Sequence, residues 1–331
     1  MILITGAAGY IGSHCALNLL ENGYNLVLFD NLDTGNLETV EILKNLDLQG
    51  QIADFIEGDL KIFDEINAVF KKYQIKGVIH FAANSVVEES IKNPQKYYEN
   101  NVFGSQNLFK AMIDNNVLKI VFSSSAAVYG ITQDAYIDEN FCKNPINPYG
   151  ESKLQVENIL CDYFKTHGLQ SVIFRYFNVA GADSLVRIGE NHNPETHLIP
   201  NLLKATLQDD VIFELFGDDH KTFDGTCIRD YVNVEDLAEA HRLGIEKLFT
   251  DNVSAVYNLG TQDGFSVKEI LNICAEITQK NITCKLCPKR IGDPPKLVAN
   301  SQKAQKELNW VSKRTIFDTI KSAYEWEKRS K

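Results

Sequence analysis

The chain has 331 residues, 44% of them hydrophobic and 23% charged, with a formal net charge of −11. That length supports one large domain or two unequal ones, and the acidic balance argues against a general nucleic-acid or anionic-membrane surface. No apolar run nears the roughly 18 residues of a membrane span; "ILIT" at the start reads as a strand rather than a signal peptide, and seven scattered cysteines suit a reducing cytoplasm.

Residues 1 to about 180 alternate short apolar runs with amphipathic segments. "ILIT", "NLVLFD", "DFIEGD", "KGVIHFAA", "KIVFSSS" and "SVIFRYF" read as strands of a sheet buried on both faces. Helical patterns fill 11–22, 62–74, 95–115 and 149–167. This alternation predicts an α/β fold with a doubly wound, mainly parallel, Rossmann-like sheet over 1–180. After residue 180 the pattern loosens into a smaller α+β region over 181–331, with helices near 197–208, 235–249, 266–279 and 315–328. "VYNLG" at 256–260 reads as a strand that could return to the main sheet.

Directly after the first strand, "TGAAGYIGSH" places Gly6, Gly9 and Gly12 at the opening of a helix. Positions without side chains let the backbone turn tightly and approach a pyrophosphate at the helix N-terminus. The spacing is G-x-x-G-x-x-G rather than G-x-G-x-x-G, so the flanking strand and helix carry the reading. Asp30 closes the second strand, where a carboxylate accepts hydrogen bonds from a ribose diol and repels a 2′-phosphate. No Arg or Lys lies between Asp30 and Lys44 to hold that phosphate, which favours NAD over NADP. Asp59 is either a second polar contact at the adenine or a strand-terminal cap.

Ser123, Ser124 and Ser125 end the fifth strand, at the sheet edge where ligands bind in such folds. In "INPYGESK", Asn147 suits a helix N-cap and Pro148 the first helical position. Tyr149 and Lys153 then share one helix face. The spacing alone says little, because 13 tyrosines and 26 lysines among 331 residues yield about one Tyr-x-x-x-Lys by chance. A second copy, Tyr324 with Lys328, lies far from any glycine loop and reads as surface helix. Bringing a Tyr pKa from about 10 to near 7 takes roughly 4 kcal/mol of preferential stabilisation, which a lysine and a positively charged nicotinamide can share.

Taken together these stretches resemble the extended short-chain dehydrogenase/reductases, and within them the nucleotide-sugar 4-epimerases acting on UDP-glucose and UDP-galactose. The likeness runs along nearly the whole chain, through "YYENNVFGSQNL", "FSSSAAVYG", "NPYGESK", "FRYFNVAGA", "FGDDHKTFDGTCIRDYVNVEDLA" and "KRIGDPPKLVA". It implies tightly held NAD, reduced and reoxidised within one cycle. Tyr149 is then the base for the sugar's 4-OH, Ser125 relays or orients the proton, and Lys153 binds the nicotinamide ribose. By the same resemblance Tyr10, Ile11, Asn31, Leu60, Phe81, Ala82, Ala83, Asn100, Ser123 and Tyr176 join Gly6, Gly9, Gly12, Asp30 and Asp59 at the cofactor. Asn178, Arg229, Arg290 and Asp293 hold the UDP, Phe216 meets the uracil, and His197 and Leu198 also touch the substrate. Leu297 stands where relatives gate the sugar's C2 substituent, so acceptance of N-acetylated UDP-hexoses, or of UDP-pentoses, stays open. A lysine that some relatives carry after the fourth strand is Ser85 here.

Related 4,6-dehydratases need an acid/base pair after the serine, usually Asp-Glu, where this chain has Ala126 and Ala127. Elimination is therefore disfavoured. A non-catalytic NAD-sensing regulator predicts a damaged Ser-Tyr-Lys set, and this one is intact. No metal is expected: Cys284-x-x-Cys287 lacks a second pair, and His192 and His197 flank a polar substrate flap with no third ligand evident. The helices at 95–115 and 149–167 are apolar on more than one face, which with the resemblance points to a homodimer.

Overall fold

The computed structural model describes residues 1–131, 136–208, 211–290 and 294–329. The chain starts with β1 (Ile2–Thr5) and alternates through α1 (Tyr10–Glu21), β2 (Leu26–Asp30), α2 (Leu37–Leu46), β3 (Ile52–Glu57), α3 (Phe63–Lys72) and β4 (Gly77–His80). β1 runs parallel to both β2 and β4, with Thr5 opposite Phe29 and His80. All three strands are buried throughout, because a sheet covered by helices on both faces has no polar side to present. β3 departs from that expectation. It lies at the sheet's edge, and none of its six residues is fully buried.

Next come α4 (Val87–Lys92), α5 (Pro94–Tyr97), a π-helical turn at Tyr98–Phe103, and α6 (Gly104–Asp114). The single helix predicted over 95–115 is thus three pieces. Within the wider turn sits Asn101, a buried amide whose Nδ2 donates to the Asn84 carbonyl and the Ser152 hydroxyl, each at 3.0 Å. Its Oδ1 accepts the Asn84 N–H at 2.8 Å. Turns of this kind widen a helix by one residue and are frequent at functional sites.

β5 (Lys119–Ser125) leads through a 3₁₀ turn at Ala126–Tyr129 to α7 (Pro148–His167) and β6 (Gln170–Tyr176). Asn147 caps α7 by accepting the Gly150 N–H at 2.8 Å, Pro148 opens it, and Gly168 in the left-handed region closes it. The rest of the chain forms β7 (Asn178–Ala180), α8 (Leu198–Leu207), β8 (Phe213–Phe216), β9 (Ile228–Asn233), α9 (Val234–Thr250) and β10 (Ala255–Leu259). Then follow β11 (Gly264–Ser266), α10 (Val267–Thr278), β12 (Cys284–Cys287), β13 (Lys296–Leu297), α11 (Gln302–Leu308) and α12 (Ile316–Arg329).

The large sheet has the order β10-β6-β5-β4-β1-β2-β3, so β10, the 256–260 segment, forms its second edge. Strand order reverses between β1 and β4, the crevice where doubly wound sheets bind ligands. A smaller sheet gathers β7, β11 and β13 around β9, and β8 pairs with β12. Two compact units result, and neither is one stretch of chain. One comprises Met1–Tyr129, Cys142–Arg175 and Ala238–Tyr257; the other Gly130–Phe141, Tyr176–Leu237 and Asn258–Lys331. The first is centred on Leu3, Val27, Phe29, Val78, Phe109, Phe122, Val156 and Ile173, the second on Ile199, Leu202, Leu203, Tyr231, Ile270 and Ile320. Among the described residues no helix is long and apolar enough to cross a membrane.

His80, at the end of β4, is fully enclosed. Its Nδ1 shares a hydrogen bond with Thr5 Oγ1 at 2.7 Å and its Nε2 one with Ser105 Oγ at 2.9 Å. Burial, helped by the Lys153 ammonium, pushes its pKa down to about 3. The unfolded chain takes up a proton as pH falls through about 6.5, while the folded chain stays neutral there, so acidification removes stability. Between pH 6.5 and 5 this one group should remove roughly 1 to 2 kcal/mol. Urea unfolding of the parent and a His80→Gln variant at both pH values checks this. The variant should lack that share of the slope, and equal slopes would acquit His80.

Candidate active site

The β1–α1 turn is built on contacts that only glycine permits. Gly6 has φ +72°, and a Cβ there would lie 2.5 Å from the Ala82 nitrogen; a Cβ on Gly12 would lie 2.0 Å from the Gly6 carbonyl oxygen. Gly9 occupies the N-cap of α1 with no side-chain cap, and the first turn holds no acidic residue. The helix N-terminus therefore keeps its N–H groups and positive dipole end for an anion. Tyr10 is buried edge-on to His14, with ring centroids 5.1 Å apart, and Ile11 is half-buried.

Asp30 is buried at the end of β2. Its two carboxylate oxygens accept the Ala8 N–H at 2.9 Å and the Leu32 N–H at 2.8 Å. Burial pushes its pKa up and these two N–H groups pull it down. Each oxygen keeps a lone pair for a hydroxyl, as a ribose diol requires. A cavity of about 470 Å³ beside it is lined by Asn31, Asp59, Asn84, Lys96 and Asn100, which brings Asn31, Asp59 and Asn100 to one place. Two lysines reach this region from outside the β2–α2 loop. Both are already engaged, Lys96 with Glu89 at 2.9 Å and Asp33 at 3.7 Å, and Lys61 with Asp59 at 3.3 Å. Neither stands ready for a 2′-phosphate.

After β4, Phe81 packs on His241 with centroids 4.6 Å apart, and Ala82 and Ala83 are half-buried. The Leu60 side chain packs into the apolar core. The N–H groups of Phe81 and Ala82 both donate to the Thr5 carbonyl, so this strand end is tied to the glycine turn.

The three serines of β5 have different surroundings. Ser123 Oγ faces His241 Nε2 at 3.4 Å, and Ser124 Oγ donates to Glu157 Oε1 at 2.6 Å; both residues are buried. Ser125 alone keeps partial exposure, its Oγ accepting the Ala127 N–H at 3.1 Å. The Tyr149 phenol, nine-tenths buried, packs edge-on to Tyr97 at 6.5 Å. Burial raises its pKa and a hydrogen bond to Ser125 lowers it. Gly150 makes this possible, since a Cβ there would lie 2.5 Å from the Ala127 carbonyl oxygen. Helix α7 thus presses its first turn onto the 3₁₀ turn that follows Ser125.

Lys153 Nζ donates to the Ser123 carbonyl at 2.8 Å and lies 5.9 Å from the centre of the Tyr149 ring. Burial pulls its ammonium down to about 7, while Glu157, one turn onward, works to raise it. Glu157 itself is 4% exposed and is held by Arg175, 3% exposed, through Nη2 at 2.6 Å and Nε at 2.9 Å. Sequence reasoning missed Glu157. Its only signal is helical spacing, four residues beyond Lys153. On α12 Lys328 is exposed, with its Nζ 4.8 Å above the Tyr324 ring, but Tyr324 is half-buried against the second core rather than on the surface.

In the second unit, the Arg290 guanidinium stacks 4.1 Å over Phe216, and Leu297 is the register partner of Arg229 between β13 and β9. Asn178 is exposed on β7 and pairs with Tyr231, two residues past Arg229. Arg229 Nη1 donates to the Ile228 carbonyl at 2.8 Å. Tyr176, at the end of β6, is half-buried. Asp293 lies outside the described residues. Leu198 opens α8, and the His197 side chain turns to Glu190. There the structure supplies what the sequence did not show: Glu190 and Glu195 join His192 and His197 in one cluster.

Residues 3–323 match the family profile described as GDP-mannose 4,6 dehydratase. A UDP-glucose 4-epimerase of Halalkalibacterium halodurans is 46% identical over 330 residues, covering 99% of this chain and 95% of the relative. The chain belongs to the UDP-glucose 4-epimerase family. Among solved members, the UDP-glucose 4-epimerase from Brucella ovis in complex with NAD superposes with a TM-score of 0.92 at 40% identity, over 98% of this chain and 97% of that one. The UDP-glucose 4-epimerase from Bifidobacterium longum in complex with NAD+ and UDP gives 0.93 at 34%, over 99% and 98%. The profile takes its description from dehydratases, but Ala126 and Ala127 set this chain with the epimerases.

Proposed function

We propose that this protein interconverts UDP-galactose and UDP-glucose as an NAD-dependent 4-epimerase. The observation that carries this is the Ser125–Tyr149–Lys153 set, followed by two alanines that cannot transfer a proton. NAD, when bound, takes up and returns the hydride. Tyr149, as phenolate, removes the proton from the sugar's 4-OH, and its hydrogen bond to Ser125 stabilises that anion. Lys153, its Nζ 5.9 Å from the centre of the Tyr149 ring, supplies positive charge near the phenol and holds the nicotinamide ribose. With no acid or base in place to expel the C6 hydroxyl, the 4-keto sugar has one way forward, which is to recover its proton and hydride.

Gly6, Gly9, Gly12 and the α1 N-terminus hold the pyrophosphate, and Asp30, with Asn31, Asp59 and Asn100, the adenosine. Arg229 and Arg290 suit the UDP diphosphate because a planar guanidinium bonds two oxygens at once. Asn178 supports them, with Asp293 as a further UDP contact. Phe216 meets the uracil, His197 and Leu198 border the substrate, and Leu297 flanks the sugar's C2. The compartment is the cytoplasm. The protein acts as a homodimer, for which Phe103, 50% exposed, and Phe164, 45% exposed, offer apolar surface near α6 and on α7.

Incubation with UDP-galactose and no added NAD, followed by assay for UDP-glucose, tests the proposal. The equilibrium mixture is expected, and no product from protein carrying bound NAD would overturn it. The same assay with UDP-N-acetylgalactosamine reads whether Leu297 admits a larger C2 group.

A further inference from the structure

We propose that Glu190, His192, Glu195 and His197 form a binding site for one divalent transition-metal ion, ahead of helix α8. The inference stands apart from the proton and hydride chemistry, since it rests on four side chains outside the Ser125–Tyr149–Lys153 set.

Each of the four residues offers one ligand atom, and all four atoms lie within 4.8 Å of one another. His192 Nδ1 is 3.0 Å from Glu190 Oε1, His197 Nδ1 is 4.0 Å from Glu195 Oε1, and His197 Nδ1 also contacts Glu190 Oε1. A tetrahedral ion with bonds of about 2.0–2.1 Å sets its ligands about 3.3 Å apart. The observed spacings straddle that value.

A second observation concerns Glu195. Its side chain is 5% exposed, and its Oε2 is buried without a hydrogen-bond partner. Lys204 Nζ approaches to 3.8 Å, beyond hydrogen-bond reach. A buried carboxylate oxygen left in that condition is costly, and a cation among these four groups would relieve it. The other oxygen, Oε1, accepts the Thr196 and His197 N–H groups, both at 2.8 Å, which fixes the carboxylate's place. Glu190 is fixed as well, its carbonyl accepting Trp326 Nε1 at 2.8 Å.

Two imidazoles with two carboxylates form a mixed nitrogen–oxygen set, which suits Zn²⁺ and its first-row neighbours better than Mg²⁺ or Ca²⁺. Bound there, the ion clasps the 190–197 loop to the start of α8.

The test uses the full chain with Cys284→Ser and Cys287→Ser, so that the C-x-x-C thiols do not compete. After chelator treatment and buffer exchange, Zn²⁺ is titrated against a chromophoric chelator. One ion per chain is expected. Loss of a partner that merely orients a ligand costs 10- to 100-fold in metal affinity, so Glu190→Gln and His192→Ala, which remove ligands, should each weaken binding by at least about 100-fold. Circular dichroism establishes that the variants are folded, and Glu195→Gln stands in for either that is not. X-ray absorption on the Co²⁺-loaded parent should show nitrogen and oxygen neighbours with imidazole scattering and no sulfur. Absence of stoichiometric binding, binding indifferent to these substitutions, or sulfur in the coordination shell would each overturn the site and leave a hydrogen-bonded ion cluster only.

Discussion

Replacing Tyr149 with Phe is expected to lower turnover of UDP-galactose by about 10²- to 10⁴-fold, the usual worth of a positioned acid/base group. The substitution removes one oxygen and keeps the ring, so the edge-on packing against Tyr97 and the burial of the site persist. NAD content and KM should therefore change little, because the lost interaction belongs to proton transfer rather than to binding. Steady-state kinetics together with the absorbance of bound NAD separate the two effects. Activity near that of the parent would remove Tyr149 from its role. A Ser125→Ala variant is not equivalent, since it deletes an orienting hydroxyl and leaves the base.

The second large effect is on stability. Glu157→Ala should destabilise the protein by about 3–5 kcal/mol, the cost of breaking a buried ion pair from one side. Arg175 would keep its charge at 3% exposure, without its carboxylate, while its Nη1 stays 2.9 Å from Tyr129 Oη. Ser124 would lose its acceptor as well. Against a total stability of about 5–15 kcal/mol this is a large fraction, and urea unfolding reads it directly. Removing both charges, in Glu157→Leu with Arg175→Met, should recover much of the loss, because no buried charge is then left alone. A single variant as stable as the parent would show that the pair contributes nothing.

These two predictions mark what the sequence discloses and what it withholds. Gly6, Gly9, Gly12, Asp30, Tyr149 and Lys153 stand out because each lies within a short stretch whose strand or helix can be read locally. The parallel sheet is legible for the same reason, since β1, β2 and β4 are unbroken apolar runs. Glu157 is not, because its partners Ser124 and Arg175 lie on neighbouring strands and meet it only after the sheet forms. The serine run stands out in the sequence, but the different surroundings of its hydroxyls do not: Ser123 and Ser124 are buried and Ser125 keeps partial exposure. His192 and His197 drew attention as a pair, yet the two glutamates that complete the cluster alternate with them along an irregular loop, where no periodicity betrays which side chains converge.

The π-helical turn at Tyr98–Phe103 carries a consequence for how this chain can vary. A regular α-helix keeps one apolar stripe in phase along its whole length. One wider turn rotates everything after it, so the segment serves two phases. Tyr97 just before the turn and Asn101 within it point inward; after it, Leu108, Phe109 and Met112 enter the core. Deleting a single residue would restore a smooth helix and force a choice between those sets. Either the Asn101 bridge to Asn84 and Ser152 would go, or the three apolar anchors would swing out. Substitutions at the exposed positions of this turn leave both phases intact. In this stretch the number of residues, more than their identity, is what the fold protects.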